Sequence, residues 1–125
     1  MELQMIAQMY EYGIWANNKL LDKARELTDE QLRHPFTQGA QPILHSFVHL
    51  VAAEWRWYQA WLGVPMMERL TVEHLPTIDA VRGKWEPLWA ERRAYIESLT
   101  PEQLARSFER DVRGQKQSII LWHAL

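Results

Sequence analysis

The chain has 125 residues, a length typical of a single domain, here residues 1–125, that buries a core of its own. It contains no cysteine, which excludes disulfides and thiolate-bound metals, so a metal ion would need nitrogen and oxygen ligands, and a cytoplasmic location is expected. The net charge of −2 gives no reason to expect a basic surface that binds nucleic acid, and no apolar run is long enough to cross a membrane. The chain has seven tryptophans, which could fill a core, line a pocket or form an interface.

Apolar residues recur at helical spacing from Glu2 to Leu27 and predict a first long amphipathic helix. The stripe consists of Met5, Ile6, Met9, Tyr10, Gly13, Leu20, Leu21, Ala24 and Leu27. Asn17 lies inside this stripe, either as a hydrogen-bonding strut or as a site residue. Tyr12 and Trp15 lie on the opposite side, where two exposed aromatic residues are either a subunit contact or ordinary surface residues.

A short phrase occurs twice, as RELTDEQL at residues 25–32 and as ESLTPEQL at residues 97–104. In each copy a threonine, Thr28 or Thr100, precedes a glutamine by three residues, which is the pattern of a capping box. Each copy also follows a long apolar-periodic segment. The repeat therefore predicts two units, each with a long helix, a short capped helix, a crossover and another long helix.

The longest apolar run, Gln41 to Gly63, predicts a central buried helix because its apolar residues surround the whole helix axis. Gly63 is predicted to end this helix as its C-cap glycine. One strip of this helix differs from the rest and combines small side chains with polar ones. It consists of His45, His49, Ala52, Ala53, Arg56 and Ala60. Small residues beside imidazole and guanidinium groups leave room for a ligand, so this strip is the first candidate for a functional site.

A third helix is predicted from Thr77, its N-cap, to about Ser98, and Arg92 lies within its apolar stripe. Either Arg92 extends past tryptophan faces or it binds a substrate, and we take Arg56 and Arg92 as the candidate cofactor-binding residues. Residues 108–117 are expected to be extended or a loose turn. Ser118 is predicted to cap a fourth helix, incomplete at Leu125, which makes the fold an all-α four-helix bundle.

Four phrases in this order resemble the DinB-like (YfiT-like) proteins over essentially the whole chain. They are EYGIWANNKLLD, HSFVHLVAAEWRW, LPTIDAVRGKW and GQKQSIILWHAL. The resemblance implies an up-down-down-up four-helix bundle, often a homodimer, that holds a divalent metal such as zinc or nickel on three histidines. It also implies activity on a small molecule, either as a metal-dependent hydrolase or as an S-transferase or isomerase that uses a low-molecular-weight thiol.

The resemblance assigns one metal ligand of this chain, His49, the histidine of the family's HL-x-x-x-E phrase. The other two belong to an H-x-x-x-H phrase that follows the LW-x-x-L phrase, here residues 121–125. His123 lies inside that phrase and His45 matches no family ligand. We therefore expect His49 to face a cavity, and we do not expect residues 1–125 to hold a closed three-histidine site within one subunit.

The residues alone leave two functions open. The first is a metal-dependent enzyme in which His49 contributes to the metal site. The second is a non-catalytic, truncated helical bundle that serves as an oligomerisation or interaction module, because a short fourth helix would leave an apolar groove uncovered. Glu54 lies about 140° around the helix from His49, so we expect it to pair with an arginine and not to bind a metal.

Overall fold

Three long helices and two short ones precede a β-hairpin in the computed structural model. The structure describes residues 2–36, 39, 41–64, 69–112 and 115–120, without the side chains of residue 2 and residues 107–120. The elements are α1 (Glu2–Ala24), α2 (Asp29–Arg33), α3 (Ile43–Trp61), α4 (Ile78–Ser98), α5 (Pro101–Leu104), β1 (Ser107–Val112) and β2 (Gln115–Ile120). The fold is a helical bundle, as predicted. No helix in these ranges is long and apolar enough to cross a membrane.

The core lies where α4 packs against α1 on one side and against α3 on the other. Trp85 of α4 is fully buried at its centre. Its ring meets the Phe47 ring of α3 edge-on at 6.5 Å and lies 5.1 Å from the Trp89 ring, measured between centroids. Edge-to-face aromatic pairs at such separations add to the free energy gained from burying apolar area. The tryptophans of α4 therefore hold the three long helices together.

The prediction that the apolar run from Gln41 to Gly63 forms the most buried helix is confirmed. Only 4 of the 19 residues of α3 are exposed, whereas 10 of the 21 residues of α4 are exposed. Because apolar side chains surround the α3 axis, this helix can be covered from several directions.

A Schellman motif ends α3 where a glycine was expected to stop it. Gly63 has φ of 73°, a conformation that favours glycine. The N–H of Val64 donates to the carbonyl of Gln59 at 3.0 Å, and the N–H of Gly63 donates to that of Ala60 at 3.1 Å. These two bonds satisfy carbonyl groups at the helix end that would otherwise lack a partner.

Both predicted capping boxes are present. The Thr28 hydroxyl accepts from the Gln31 N–H at 3.1 Å and the Gln31 side chain returns a bond to the Thr28 N–H at 2.9 Å. Thr100 and Gln103 repeat the same reciprocal pair at the start of α5. The repeated phrase therefore encodes two short helices, each of which begins one residue after its capping threonine.

The predicted N-cap at Ser118 is wrong, because this residue lies in β2. Strands β1 and β2 pair antiparallel from Ser107 opposite Ile120 to Val112 opposite Gln115. A helix of about seven residues is marginal by itself, whereas this pairing satisfies backbone groups on both segments and suits β-branched residues. The extended conformation expected for residues 108–117 is confirmed where the structure describes them. The rest of the predicted fourth helix, residues 121–125, lies outside the described residues.

The apolar stripe predicted for α1 is only half correct. Leu21 and Ala24 are buried, but Met5, Met9 and Leu20 are 59%, 67% and 53% exposed. The reason is that α1 packs chiefly against α4, so only the side of its stripe that faces α4 is covered by described residues. Helix α1 also ends at Ala24, three residues before the predicted end.

Candidate functional site

A buried ion pair joins α3 to α4. Nη1 of Arg92 lies 2.8 Å from Oε2 of Glu54, and the two side chains are 8% and 29% exposed. The indole N–H of Trp85 donates to the same Glu54 oxygen. The prediction that Glu54 pairs with an arginine is confirmed. Since the charge of Arg92 is removed from water, the Glu54 carboxylate is the group that makes this burial tolerable.

Aromatic rings surround the guanidinium of Arg92. Its Cζ lies 4.3 Å from the centroid of the Tyr10 ring and 5.7 Å from that of the Trp61 ring. Arg92 therefore lies against a tryptophan ring, which agrees with the first of the two alternatives predicted for it. Its guanidinium is nevertheless buried. Burial raises the pKa of the Tyr10 phenol, although the charge of Arg92 opposes this effect.

Two buried nitrogen atoms beside this pair have no hydrogen-bond partner among the described residues. They are Nε of Arg92 and Nε1 of Trp61. Buried N–H groups are nearly always paired with protein or with ordered water, because an unpaired donor loses the hydrogen bonds that it made to solvent. The Arg92 Nε–H is therefore available to an acceptor that is not part of the described chain.

A cavity of about 390 Å³ lies between α1 and α4. Its lining is mostly apolar and comes from these two helices. The lining residues are Gln4, Ala7, Gln8, Tyr10, Glu11, Ile14, Trp89, Arg92, Arg93, Ile96 and Glu97. A second cavity, of about 250 Å³, adjoins Arg92 and Tyr10 and is also lined by Asn17 and Glu54. Arg92 thus contributes to both cavities, and Asn17, which is half-buried, lies at the second.

A salt bridge closes one side of the larger cavity. The guanidinium of Arg93 and the carboxylate of Glu11 meet through two nitrogen–oxygen pairs, one of them at 3.0 Å. This hydrogen bonding lowers the pKa of Glu11. The bridge joins α1 to α4 directly, so the two walls of the cavity are tied together at their solvent side.

The polar strip of α3 lies away from both cavities. His49 and Arg56 are exposed and His45 is half-buried, whereas the most buried residues of α3 lie on the opposite side of the helix. The expectation that His49 faces a cavity is therefore wrong for these two cavities, neither of which it lines. The physical reason is that α4 packs against the side of α3 that carries Leu44 and Val51.

The described residues do not form a metal site by themselves. No three His, Cys, Asp or Glu side chains in the described ranges are placed so that they could hold one ion. His49 is the ligand that the sequence resemblance implies, and a catalytic zinc or nickel ion takes about three protein ligands. His123 lies outside the described residues, and we derive no reaction step through a metal.

A loop between α3 and α4 brings two histidines near one carboxylate, which the sequence did not predict. The pKa of Glu73 is lowered by a hydrogen bond from the Thr71 side chain, and the charges of His45 and His74 add to this effect. Nδ1 of His74 accepts from the Thr71 N–H at 3.1 Å. The side chain of His74 is exposed.

Periodicity gave no sign that Tyr10 differs from the other apolar residues of its stripe. A partner of this kind could still have been predicted, because a buried arginine in an apolar stripe is stabilised by a nearby carboxylate and a nearby aromatic ring. Arg92, by contrast, was visible as the one cation inside the α4 stripe.

A protein-family model described as the DinB superfamily matches residues 14–124. This match includes the second half of α1 and all of α3 and α4, and it confirms the resemblance that the four sequence phrases indicated. The curated proteins give no match to the chain.

Proposed function

Because the chain belongs to the DinB superfamily, we propose that it is a metal-dependent enzyme that acts on a small molecule. The reaction class is either hydrolysis or thiol-dependent S-transfer or isomerisation, with a low-molecular-weight thiol as the second substrate. The observation that carries this proposal is that His49, the ligand position that the family resemblance implies, has an exposed side chain on α3. A histidine in that position is open to an ion and to further ligands.

The remaining ligands would come from outside the described residues, such as from a partner subunit of a homodimer. Arg56 lies seven residues after His49 on the same strip and is also exposed. Its guanidinium is suited to an anionic group of a substrate or thiol cofactor. A bound zinc or nickel ion would supply Lewis acidity to this site.

The experiment is a measurement of bound metal by mass spectrometry after exposure of the protein to zinc and nickel and removal of free ions. We expect one ion per chain in the wild type and its loss in His49→Ala. His34→Ala is the matched control, because His34 is exposed and lies outside the α3 strip. Absence of a bound ion across the panel of metals would overturn the proposal.

A second candidate function, a non-catalytic interaction module, is favoured by a different observation. Met5, Met9 and Leu20 follow one face of α1 and are each more than half exposed. An apolar stripe of this length is typical of an interface, and a second copy of the chain is the proposed partner. Two further exposed aromatic rings of α1, Tyr12 and Trp15, lie 5.6 Å apart.

Sedimentation tests this candidate. We expect the wild type to dimerise at high protein concentration and Tyr12→Glu to be monomeric. Glu91→Lys, an exposed change on α4 and not on this face of α1, should leave the dimer intact. A monomeric wild type would contradict the module, and dimerisation without bound metal would favour it over the enzyme.

A further inference from the structure

We propose that the cavity between α1 and α4 binds a small, largely apolar molecule that carries one neutral hydrogen-bond acceptor, such as a carbonyl oxygen, which accepts from the Arg92 Nε–H. This site lies away from the exposed His49 strip, and the proposal does not depend on a metal.

The size and lining of the cavity suit such a ligand. A volume of about 390 Å³ is within the range of small-molecule pockets. Ala7 and Ile14 of α1 face Trp89 and Ile96 of α4 across it, and these side chains provide apolar surface on both walls. The small side chain of Ala7 contributes to the space, because a larger residue there would project into it.

The acceptor on the ligand follows from the unpartnered donor. Arg92 is only 7% exposed, lines the cavity and has a buried Nε without a hydrogen-bond partner among the described residues. The Glu54 carboxylate meets this guanidinium through Nη1, at its other end. An acceptor within the cavity would satisfy the Nε–H without disturbing the ion pair.

The charges favour a neutral acceptor over an anion. Two guanidinium groups, Arg92 and Arg93, lie at the cavity, and each already has a carboxylate partner, Glu54 and Glu11. Glu97 adds a third carboxylate to this surrounding. The lining itself balances two guanidinium groups with the carboxylates of Glu11 and Glu97, and Glu54 adds a negative charge beside Arg92. A ligand anion would therefore meet no cation without a carboxylate partner, and it would lose its hydration.

The first test uses a ketone, 4-phenylbutan-2-one, as the probe and ligand-detected NMR titration with EDTA present. We expect the wild type to bind it, and Ala7→Phe, which fills the cavity, to lose this binding at least tenfold. Ala94→Phe is the matched control, because Ala94 is exposed on α4 and does not line the cavity. Its affinity should equal that of the wild type.

The second test isolates the hydrogen bond. Arg92→Lys keeps a positive charge for Glu54 but has no Nε–H. We expect it to weaken binding of the ketone at least fivefold while changing the affinity for butylbenzene, which has no acceptor, less than twofold. The anion 4-phenylbutanoate should bind the wild type more weakly than the ketone.

Absence of ketone binding by the wild type up to about 10 mM, or unchanged binding in Ala7→Phe, would overturn the site. If Arg92→Lys weakens the binding of the ketone and of butylbenzene equally, the Nε–H does not donate to the ligand. If 4-phenylbutanoate binds the wild type more tightly than the ketone, the site does not prefer a neutral acceptor. Circular dichroism checks that each variant folds, and if Arg92→Lys does not, the Ala7→Phe and Ala94→Phe pair decides. Because EDTA is present, the ketone titration does not depend on a bound metal. If the ketone binds but the chain retains no zinc or nickel in the mass-spectrometry experiment, this site stands and the proposed metal-dependent enzyme is contradicted.

Discussion

Helix α3 carries polar residues on two faces, one packed against α4 and the other exposed to solvent. Glu54 faces α4, where it has both Arg92 and Trp85 as partners. His49, about 140° around the same helix, is exposed. The comparison shows that a polar residue acquires a fixed set of partners when neighbouring helices exclude water from it, whatever chemistry its type suggests.

The largest effect is expected at the centre of the covered side. Trp85→Ala should lower the free energy of unfolding by about 4 kcal/mol, because a fully buried indole leaves a cavity behind. Trp57→Ala, on the less covered side of α3, should cost about 2 kcal/mol, since Trp57 is half-buried. Urea unfolding followed by circular dichroism measures both. A Trp57 effect equal to that of Trp85 would mean that the two sides are equally covered.

The ion pair is the next test of the covered side. Glu54→Gln should cost about 3 kcal/mol, at the low end for a buried pair because Glu54 is 29% exposed. The control is Glu86→Gln, since Glu86 lies 3.9 Å from Arg82 and is 57% exposed, and it should cost less than about 0.5 kcal/mol. The free energy of unfolding in urea is again the measurement. Equal costs would show that the buried pair is no stronger than a surface one.

Local signals in the sequence predicted most of the helical framework. Capping boxes at Thr28 and Thr100, the N-cap at Thr77 and the glycine stop at Gly63 depend on neighbours within a few residues, and all four are present. The pairing of Glu54 was also predictable, because a carboxylate away from the polar strip of a buried helix needs a cation.

The errors arose where the outcome depended on distant residues. Ser118 has the residue type of an N-cap, but its backbone pairs with a strand that begins at Ser107. Met9 fits the apolar stripe of α1, yet no described helix covers it. The cavity beside Arg92 needs side chains from two helices far apart in sequence, so periodicity within either helix could not reveal it.

A smaller effect is expected at the solvent side of the cavity, where Glu11 pairs with Arg93. The pKa of Glu11 is lowered in the folded state, so its stabilisation is present above the unfolded pKa and is lost as pH falls through the folded pKa. Since the two side chains are 51% and 45% exposed, Glu11→Gln should cost no more than about 0.5 kcal/mol at pH 7. This difference from the wild type should vanish at pH values below the folded pKa of Glu11, where the carboxyl group is protonated. A difference that persists there would contradict the assignment.

The smallest effect on stability is expected for His49→Ala. His49 is exposed, so its truncation without metal should change the free energy of unfolding by less than about 0.5 kcal/mol. Added zinc separates the structural role from the proposed functional one, because an ion that binds only the folded chain stabilises it by about 2.7 kcal/mol at a hundred times its dissociation constant. We expect the wild type to gain this stability and His49→Ala not to gain it. If both chains respond equally to zinc, the ion binds elsewhere, and His49 is an ordinary surface residue.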